Sequence, residues 1–87
     1  MPVFLVEREL LHASMAQVVC AQEAAIACCA EFVAQGRPVR YLRSLFLPAA
    51  ERCLALFEAP DAETVRAVNA AAHLAVSRID EVVELRP

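Results

Sequence analysis

The stretch VRYLRSLFLPAAERCLALFEA, residues 39–59, decides the fold because it holds two apolar runs joined by a short polar turn. VRYLRSLFL (39–47) is closed by Pro48, and RCLALFEA (52–59) follows the loop PAAE. Runs of β-branched, aromatic and other apolar residues bounded by turn residues predict strands, and two such runs so close together predict a β-hairpin. The loop lacks the Asn-Gly pair of the tightest turns.

Further elements flank this hairpin on both sides. PVFLVERE (2–9) and RIDEVVEL (78–85) predict the first and last strands. Ser14 as N-cap and Gly36 as C-terminal stop bound a predicted helix of about five turns. Asp61, in PDAE, is the predicted N-cap of a second helix.

The predicted order is therefore β-α-β-β-α-β. We interpret it as an α+β, ferredoxin-like fold with a four-stranded antiparallel sheet and both helices on one face. No linker or repeat divides the chain, so residues 1–87 are predicted to form a single domain.

The other face of this sheet has no element to cover it, yet it is also predicted to be apolar. In the third strand, Leu54 and Leu56 alternate with Cys53, Ala55 and Phe57. A solvated face would alternate towards polar residues. Burying roughly 500 Å² of apolar surface per subunit contributes on the order of 12 kcal/mol before the cost of association. We therefore expect a homodimer, with two sheets packed as a dimeric α/β barrel.

Composition excludes several functional classes. Of 87 residues, 60% are hydrophobic, and the mean hydropathy is +0.49. The net charge is −3 and the eight arginines are spread along a chain without lysine, so no nucleic-acid partner is expected. The longest uncharged run, Leu10 to Gln22, is shorter than the roughly 20 residues of a membrane span. With no secretion signal visible, we expect a cytoplasmic protein with no membrane partner.

The first helix carries three of the four cysteines. Cys28 and Cys29 point about 100° apart, and Cys20 lies about 180° from Cys29, so they do not form one site. Cys53 is predicted to be buried in its strand, and no CxxC pair is present. The expected core stripe of the helix has Ala25 and Phe32 on its edge and consists of Met15, Val18, Val19, Ile26, Cys29 and Val33.

Four segments resemble a family of short bacterial proteins of unknown function, some of which are described as nickel-binding proteins. The segments are PVFLVERE, VRYL, FEAPDAE and RIDEVVEL, and FEAPDAE is the most specific. The resemblance spans nearly the whole chain. It implies the same ferredoxin-like, dimeric α/β-barrel architecture.

The resemblance also implies histidine ligands for nickel in both helices and at the start of the second strand. The matching positions here hold Cys20, Arg40, Arg43 and Asn69. A guanidinium has no free lone pair with which to ligate a cation, so a site for nickel or another transition metal needs other ligands. Cys20 and His73 are the candidates, although packing for Cys20 and a capping or surface role for His73 are the alternatives.

The second strand holds the strongest candidate ligand-binding residues. Arg40, Tyr41 and Arg43 interrupt an otherwise apolar strand, and strict alternation predicts that Arg40 points one way and the other two the opposite way. An enclosed arginine needs a counter-charge, either Glu58, Glu81 or an anionic ligand.

Two amides complete the candidate ligand-binding set, Gln22 and Asn69. Gln22 falls within the expected apolar stripe of the first helix, and a buried amide without partners costs about 1–3 kcal/mol, so it should bond to the protein or to a ligand. No catalytic constellation, such as a serine–histidine–acid set or a phosphate-binding loop, is present. The catalytic residues, and whether the protein is an enzyme, stay open.

Three functions follow as hypotheses. The first is a homodimer that binds a small molecule or a metal ion in or beside the cavity between the sheets. The second is a cofactor-independent enzyme of the monooxygenase or isomerase type. The third is a scaffold that assembles beyond a dimer through small residues on the outer face of the first helix, namely Ala16, Cys20, Ala24 and Ala27.

Overall fold

The computed structural model describes all 87 residues and contains six elements in the predicted order. They are β1 (Val3–Glu9), α1 (Met15–Ala34), β2 (Arg40–Leu47), β3 (Arg52–Glu58), α2 (Ala62–Ala71) and β4 (Arg78–Val82). The four strands form one antiparallel sheet in the order β2-β3-β1-β4, so β2 and β4 are its edges. The ferredoxin-like fold is thereby confirmed.

The predicted helix ends are confirmed by their hydrogen bonds. The Ser14 hydroxyl accepts a bond from the Gln17 backbone, and the Gln17 side chain accepts one from the Ser14 backbone, which forms a capping box. Gly36, at φ 79°, lets the chain leave α1 in the left-handed conformation that glycine adopts most readily. Asp61 caps α2 by accepting a bond from the Thr64 backbone at 2.8 Å.

Both helices pack on one face of the sheet, which we call the covered face. Its strands contribute Phe4, Val6, Ala55 and Phe57 to a single core cluster. The helical residues of that cluster are Ala25, Cys29, Phe32, Val65 and Val68. Cys53 is buried on the same face, as predicted.

The expected core stripe of α1 is only partly right. Its buried residues are Val18, Ala25, Cys29 and Phe32. The other members of the predicted stripe form a second, neighbouring row whose side chains are 46–60% exposed. This row consists of Met15, Val19, Ile26 and Val33. Both rows are apolar, so hydropathy alone did not indicate which one faces the sheet.

The opposite side of the sheet, which we call the open face, has an apolar centre. Leu45 is 63% exposed and Leu47 is 39% exposed. The other apolar side chains of this face are half-buried, and they are Val3, Leu5, Leu54, Leu56 and Val82. The prediction that both phases of the first and third strands are apolar is confirmed, whereas the dimer inferred from it stays a prediction.

A β-bulge between Tyr41 and Arg43 corrects the predicted directions of the two arginines of β2. Arg40 pairs with Glu58, and Arg43 pairs with Leu56 because Leu42 is an extra residue in the strand. Glu58 and Leu56 belong to the open-face phase of β3, so both arginines lie on that side, opposite to Tyr41. Strict alternation fails here because the bulge adds one residue to the count.

The last strand is shorter than predicted, and it ends at Val82 rather than at residue 85. Arg43 of β2 forms an ion pair with Glu84 at 3.0 Å. Since β2 and β4 are opposite edges of the sheet, the residues after β4 turn across the open face to make this contact.

One helix, α1, is long and apolar enough to meet a length-and-hydropathy criterion for crossing a membrane, with a mean hydropathy of 1.3. Core helices of soluble domains meet the same criterion. Four residues of α1 are buried in the domain, so this criterion is weak support for a membrane span.

Candidate functional site

A groove of about 680 Å³ lies between α1 and the edge strand β2. It forms because β2 is the outermost strand and the second apolar row of α1 overhangs it. Ile26, Ala30 and Val33 line it from the helix, and Val39 lines it from the segment that enters β2. Its volume lies in the range of pockets that hold small organic ligands.

A polar cluster of Gln22, Tyr41 and Ser44 lines the same groove. The Tyr41 hydroxyl donates a hydrogen bond to Gln22 Oε1 at 3.3 Å, and the Ser44 hydroxyl donates to the same oxygen at 2.9 Å. Gln22 was predicted to be buried, but it is exposed, because it belongs to the helical row that overhangs the groove. Its bonds to protein groups leave the amide nitrogen available to a ligand.

Tyr41 is held in place by packing on the covered face. Its ring contacts Phe57 edge-on, with 5.2 Å between ring centroids. Burial raises the pKa of the Tyr41 phenol, an effect that the Ser44 hydrogen bond partly offsets. The hydroxyl therefore stays protonated at neutral pH and acts as a hydrogen-bond donor.

Arg40 and Arg43 lie at the rim of the groove, and both are ion-paired. Arg40 Nη2 is 3.3 Å from Glu58 Oε1, which agrees with one of the two predicted counter-charges. Arg43 pairs with Glu84 instead of the predicted Glu81. Both guanidinium side chains are more than half exposed, so neither is enclosed as expected.

Arg8 is a charged residue of this region that sequence reasoning missed. It lies on the covered face of β1, opposite Cys53, and is only 4% exposed. Its Nη1 atom is buried without a hydrogen-bond partner. Burial lowers the pKa of the Arg8 guanidinium, and the neighbouring Cys53 and Tyr41 act in the opposite direction.

A sequence signal for Arg8 was present. Phe4, Val6 and Arg8 alternate along β1, so a strand with Phe4 and Val6 in the core also turns Arg8 towards the core. The predicted strand PVFLVERE includes Arg8, and the buried phase of β1 continues through it.

Asn69 lies apart from the groove. It is fully buried in α2, where its amide nitrogen donates to the Val65 carbonyl at 2.8 Å, while its Oδ1 has no partner. The structure thus places four of the five predicted ligand-binding residues at the groove, and Asn69 elsewhere.

The metal candidates are not brought into a metal-binding cluster. Cys20 is exposed on α1, and His73 is exposed beyond the end of α2 at φ 58°. No group of three histidine, cysteine, aspartate or glutamate side chains in the chain is arranged to hold a metal ion. The residues of a single chain therefore do not fit nickel.

The remaining cysteines suit packing. Cys29 is buried in the core beside the groove, and burial raises the pKa of its thiol to about 11, with Cys28 as the next cause. All four cysteines are free. Because the Cys29 thiol stays protonated at neutral pH, it is a poor nucleophile and a poor metal ligand.

The groove offers a ligand the amide of Gln22, the hydroxyls of Tyr41 and Ser44, two guanidinium groups at the rim and an apolar wall. None of the polar groups is a strong base or nucleophile at neutral pH. They are suited to binding and orienting a ligand. The alternatives of a cofactor-independent enzyme and of a scaffold built on the outer face of α1 stay predictions.

Comparisons with known proteins support the predicted resemblance. A family model described as nickel responsive protein SCO4226-like matches residues 4–82. The crystal structure of SCO4226 from Streptomyces coelicolor A3(2) matches with a TM-score of 0.80 over 97% of this chain and 99% of that chain. At 24% identity, this likeness shows the fold alone. A comparison with curated proteins gave no significant match. Because the family model covers most of the chain, the protein belongs to the SCO4226-like family of nickel responsive proteins.

Proposed function

We propose that the protein is a homodimeric binding protein that holds a small, largely apolar ligand in the groove between α1 and β2. The observation that carries this proposal is the groove itself, a concave apolar wall with a polar cluster along it. Ligand sites commonly combine an apolar lining with a few polar groups that fix orientation.

Support for the apolar ligand comes from the helical wall. Ile26 is 46% exposed and Val33 is 55% exposed, and both line the groove. Covering such side chains contributes on the order of 25 cal/mol per Å² of apolar surface removed from water. A ligand that fills the groove gains this stabilisation without any rearrangement of the core.

Support for the homodimer comes from the open face. Its apolar centre is flanked by ion pairs of Arg52 with Glu7 and of Arg78 with Asp80. A hydrophobic centre with a charged rim is the usual anatomy of a protein interface. A second copy presents the same centre and rim, so an isologous contact beside the C-terminal segment, which crosses this face to reach Arg43, covers both. The groove lies on the covered side of the edge strand β2, whereas the proposed contact uses the open side, and only the rim arginines Arg40 and Arg43 lie next to both.

A direct test of the groove is the titration of an uncharged solvatochromic dye such as Nile red. Ile26→Asp places a charge in the groove, whereas Val19→Asp places the same charge in the same helical row outside it. Val19 is 47% exposed, so the two sites are matched in exposure. We expect Ile26→Asp to weaken binding by about tenfold or more, and Val19→Asp to leave it unchanged. Equal behaviour of the two variants would contradict the groove as the site.

The dimer has a matched test of its own. Leu45 on the open face is 63% exposed, and Leu11 outside the sheet is 61% exposed. In sedimentation velocity across a dilution series, Leu45→Glu should give a monomer, and Leu11→Glu should keep the dimer. A wild-type protein that is monomeric at every concentration would refute this part of the proposal.

A second candidate function is metal binding, which the family match favours. One chain lacks a cluster of three metal-ligating side chains, so this candidate takes its ligands from two copies of the chain. Elemental analysis of protein purified without chelator measures this directly. A content of about one nickel per chain or per dimer supports the candidate, and a content below about a tenth of an equivalent removes it.

A further inference from the structure

Arg8 is the buried ionisable group that the fold leaves without a carboxylate partner, with Cys53 as its polar neighbour. The side chain forms none of the ion pairs of the molecule, and its Nη1 lacks any partner. Enclosing a guanidinium without a counter-charge is costly, since desolvation is not repaid by Coulomb attraction. A second copy packed on the open face does not reach it, because Arg8 lies on the covered face.

Strand register places Arg8 close to the polar cluster of the groove. Arg8 lies opposite Cys53, and Ser44 lies opposite Ala55, one step further along the covered face of β3. Two strand spacings, about 10 Å, separate the backbones of β1 and β2. The β2 residue in the row of Arg8 and Cys53 is Phe46, and Ser44 lies one step beyond it on the same face. An arginine side chain spans most of that distance, which agrees with the mutual electrostatic influence of Arg8 and Tyr41.

The charged side chains that line the groove are all positive. No aspartate or glutamate lines it, while two arginines do. Arg40 and Arg43 are each offset by a glutamate on the open face, so the excess positive charge is that of Arg8, behind the cluster.

Building on the proposed groove, we propose that its ligand is a carboxylate with an apolar body, whose negative charge compensates the buried Arg8. The carboxylate accepts hydrogen bonds from the Gln22 amide nitrogen and from the Tyr41 and Ser44 hydroxyls, which turn away from Gln22 Oε1. The body extends along Ile26 and Val33. From Gln22 to Val33 the helix rises about 16 Å, the length scale of a medium-chain carboxylate.

Arg8 acts through its charge rather than by contact, because it lies behind the cluster and does not line the groove. The Arg8 charge attracts an anionic head group held by the cluster, and the protein between them screens this attraction less than water does. The proposal therefore predicts selectivity for a charged head over a neutral head of the same chain length.

Displacement of bound Nile red by decanoate and by 1-decanol tests this selectivity on the full-length protein at pH 7.5. We expect decanoate to bind the wild type about tenfold more tightly than decanol. Arg8→Met should bring the two affinities to within about twofold, while Arg66→Met, on the exposed side of α2, should preserve the difference.

Gln22→Glu is a second variant that does not depend on the core, because residue 22 is exposed. It places a negative charge within the cluster, so decanoate binding should fall by about tenfold or more while decanol binding remains. Equal affinity of the wild type for decanoate and decanol, or unchanged selectivity in both variants, would overturn the carboxylate inference and leave the groove intact. Failure of the dye and both ligands to bind would instead overturn the proposed function.

Discussion

The two faces of the sheet differ in whether their arginines have ion-pair partners. On the open face, four arginines all lie in ion pairs, and they are Arg40, Arg43, Arg52 and Arg78. On the covered face, Arg8 is buried with no ion pair and an unpartnered Nη1. The paired charges surround an apolar surface that suits a second copy, whereas the unpaired charge lies behind a groove that suits a ligand. In the proposed function, the open face is where this chain assembles and the groove on the covered face is where it binds.

The largest expected difference between the faces is in packing. Phe57 on the covered face is fully buried and supports Tyr41, so Phe57→Ala should lower the free energy of unfolding by about 3–5 kcal/mol. Leu45→Ala on the open face should cost less than about 1 kcal/mol in the dissociated chain, because Leu45 is already 63% exposed. Urea unfolding at low protein concentration measures both. Similar losses for the two variants would mean that the faces are equally packed.

Alkaline pH should act mainly on the covered face. The folded state raises the pKa of the Cys29 thiol from 9.0 to about 11, and it also raises the pKa of Tyr41. The unfolded chain loses these protons first, so the free energy of unfolding should fall as pH rises from about 9 towards 11. Cys29→Ala should make this decline shallower in urea titrations. A decline of equal slope in Cys29→Ala would contradict the assignment to this thiol.

The smallest effect should come from a single open-face ion pair. Arg40→Met removes the contact with Glu58, in which the arginine side chain is 68% exposed. Exposed pairs contribute about 0–1 kcal/mol and are screened by salt. The loss in the free energy of unfolding should therefore vanish in 1 M NaCl. A loss that persists at high salt would show that Arg40 stabilises the fold by packing instead.

The sequence predicted most of the fold because its signals are local. The cap residues Ser14, Gly36 and Asp61 and the turn between β2 and β3 fix where elements begin and end. The family resemblance supported the same order of elements. The predictions that were wrong depend on contacts between elements. α1 has two apolar rows, and only its packing on the sheet decides which row is buried. The bulge at Leu42 places Arg43 on the face opposite to the predicted one.

The candidate site was predicted in part. Polar residues interrupting apolar patterns marked Gln22, Arg40, Tyr41 and Arg43, and all four line the groove. Arg8 was missed because a charged residue at the end of a strand resembles a solvated terminus. Its burial arises only when the elements pack on the covered face, which is a tertiary effect.

The most direct test of the account is the stability of Arg8→Met without ligand, measured by urea unfolding at fixed protein concentration. If the Arg8 charge is uncompensated, as we infer, an apolar side chain of similar length should unfold with equal or higher free energy than the wild type. A loss of about 3 kcal/mol or more would reveal a structural counter-charge for Arg8 and would contradict the account.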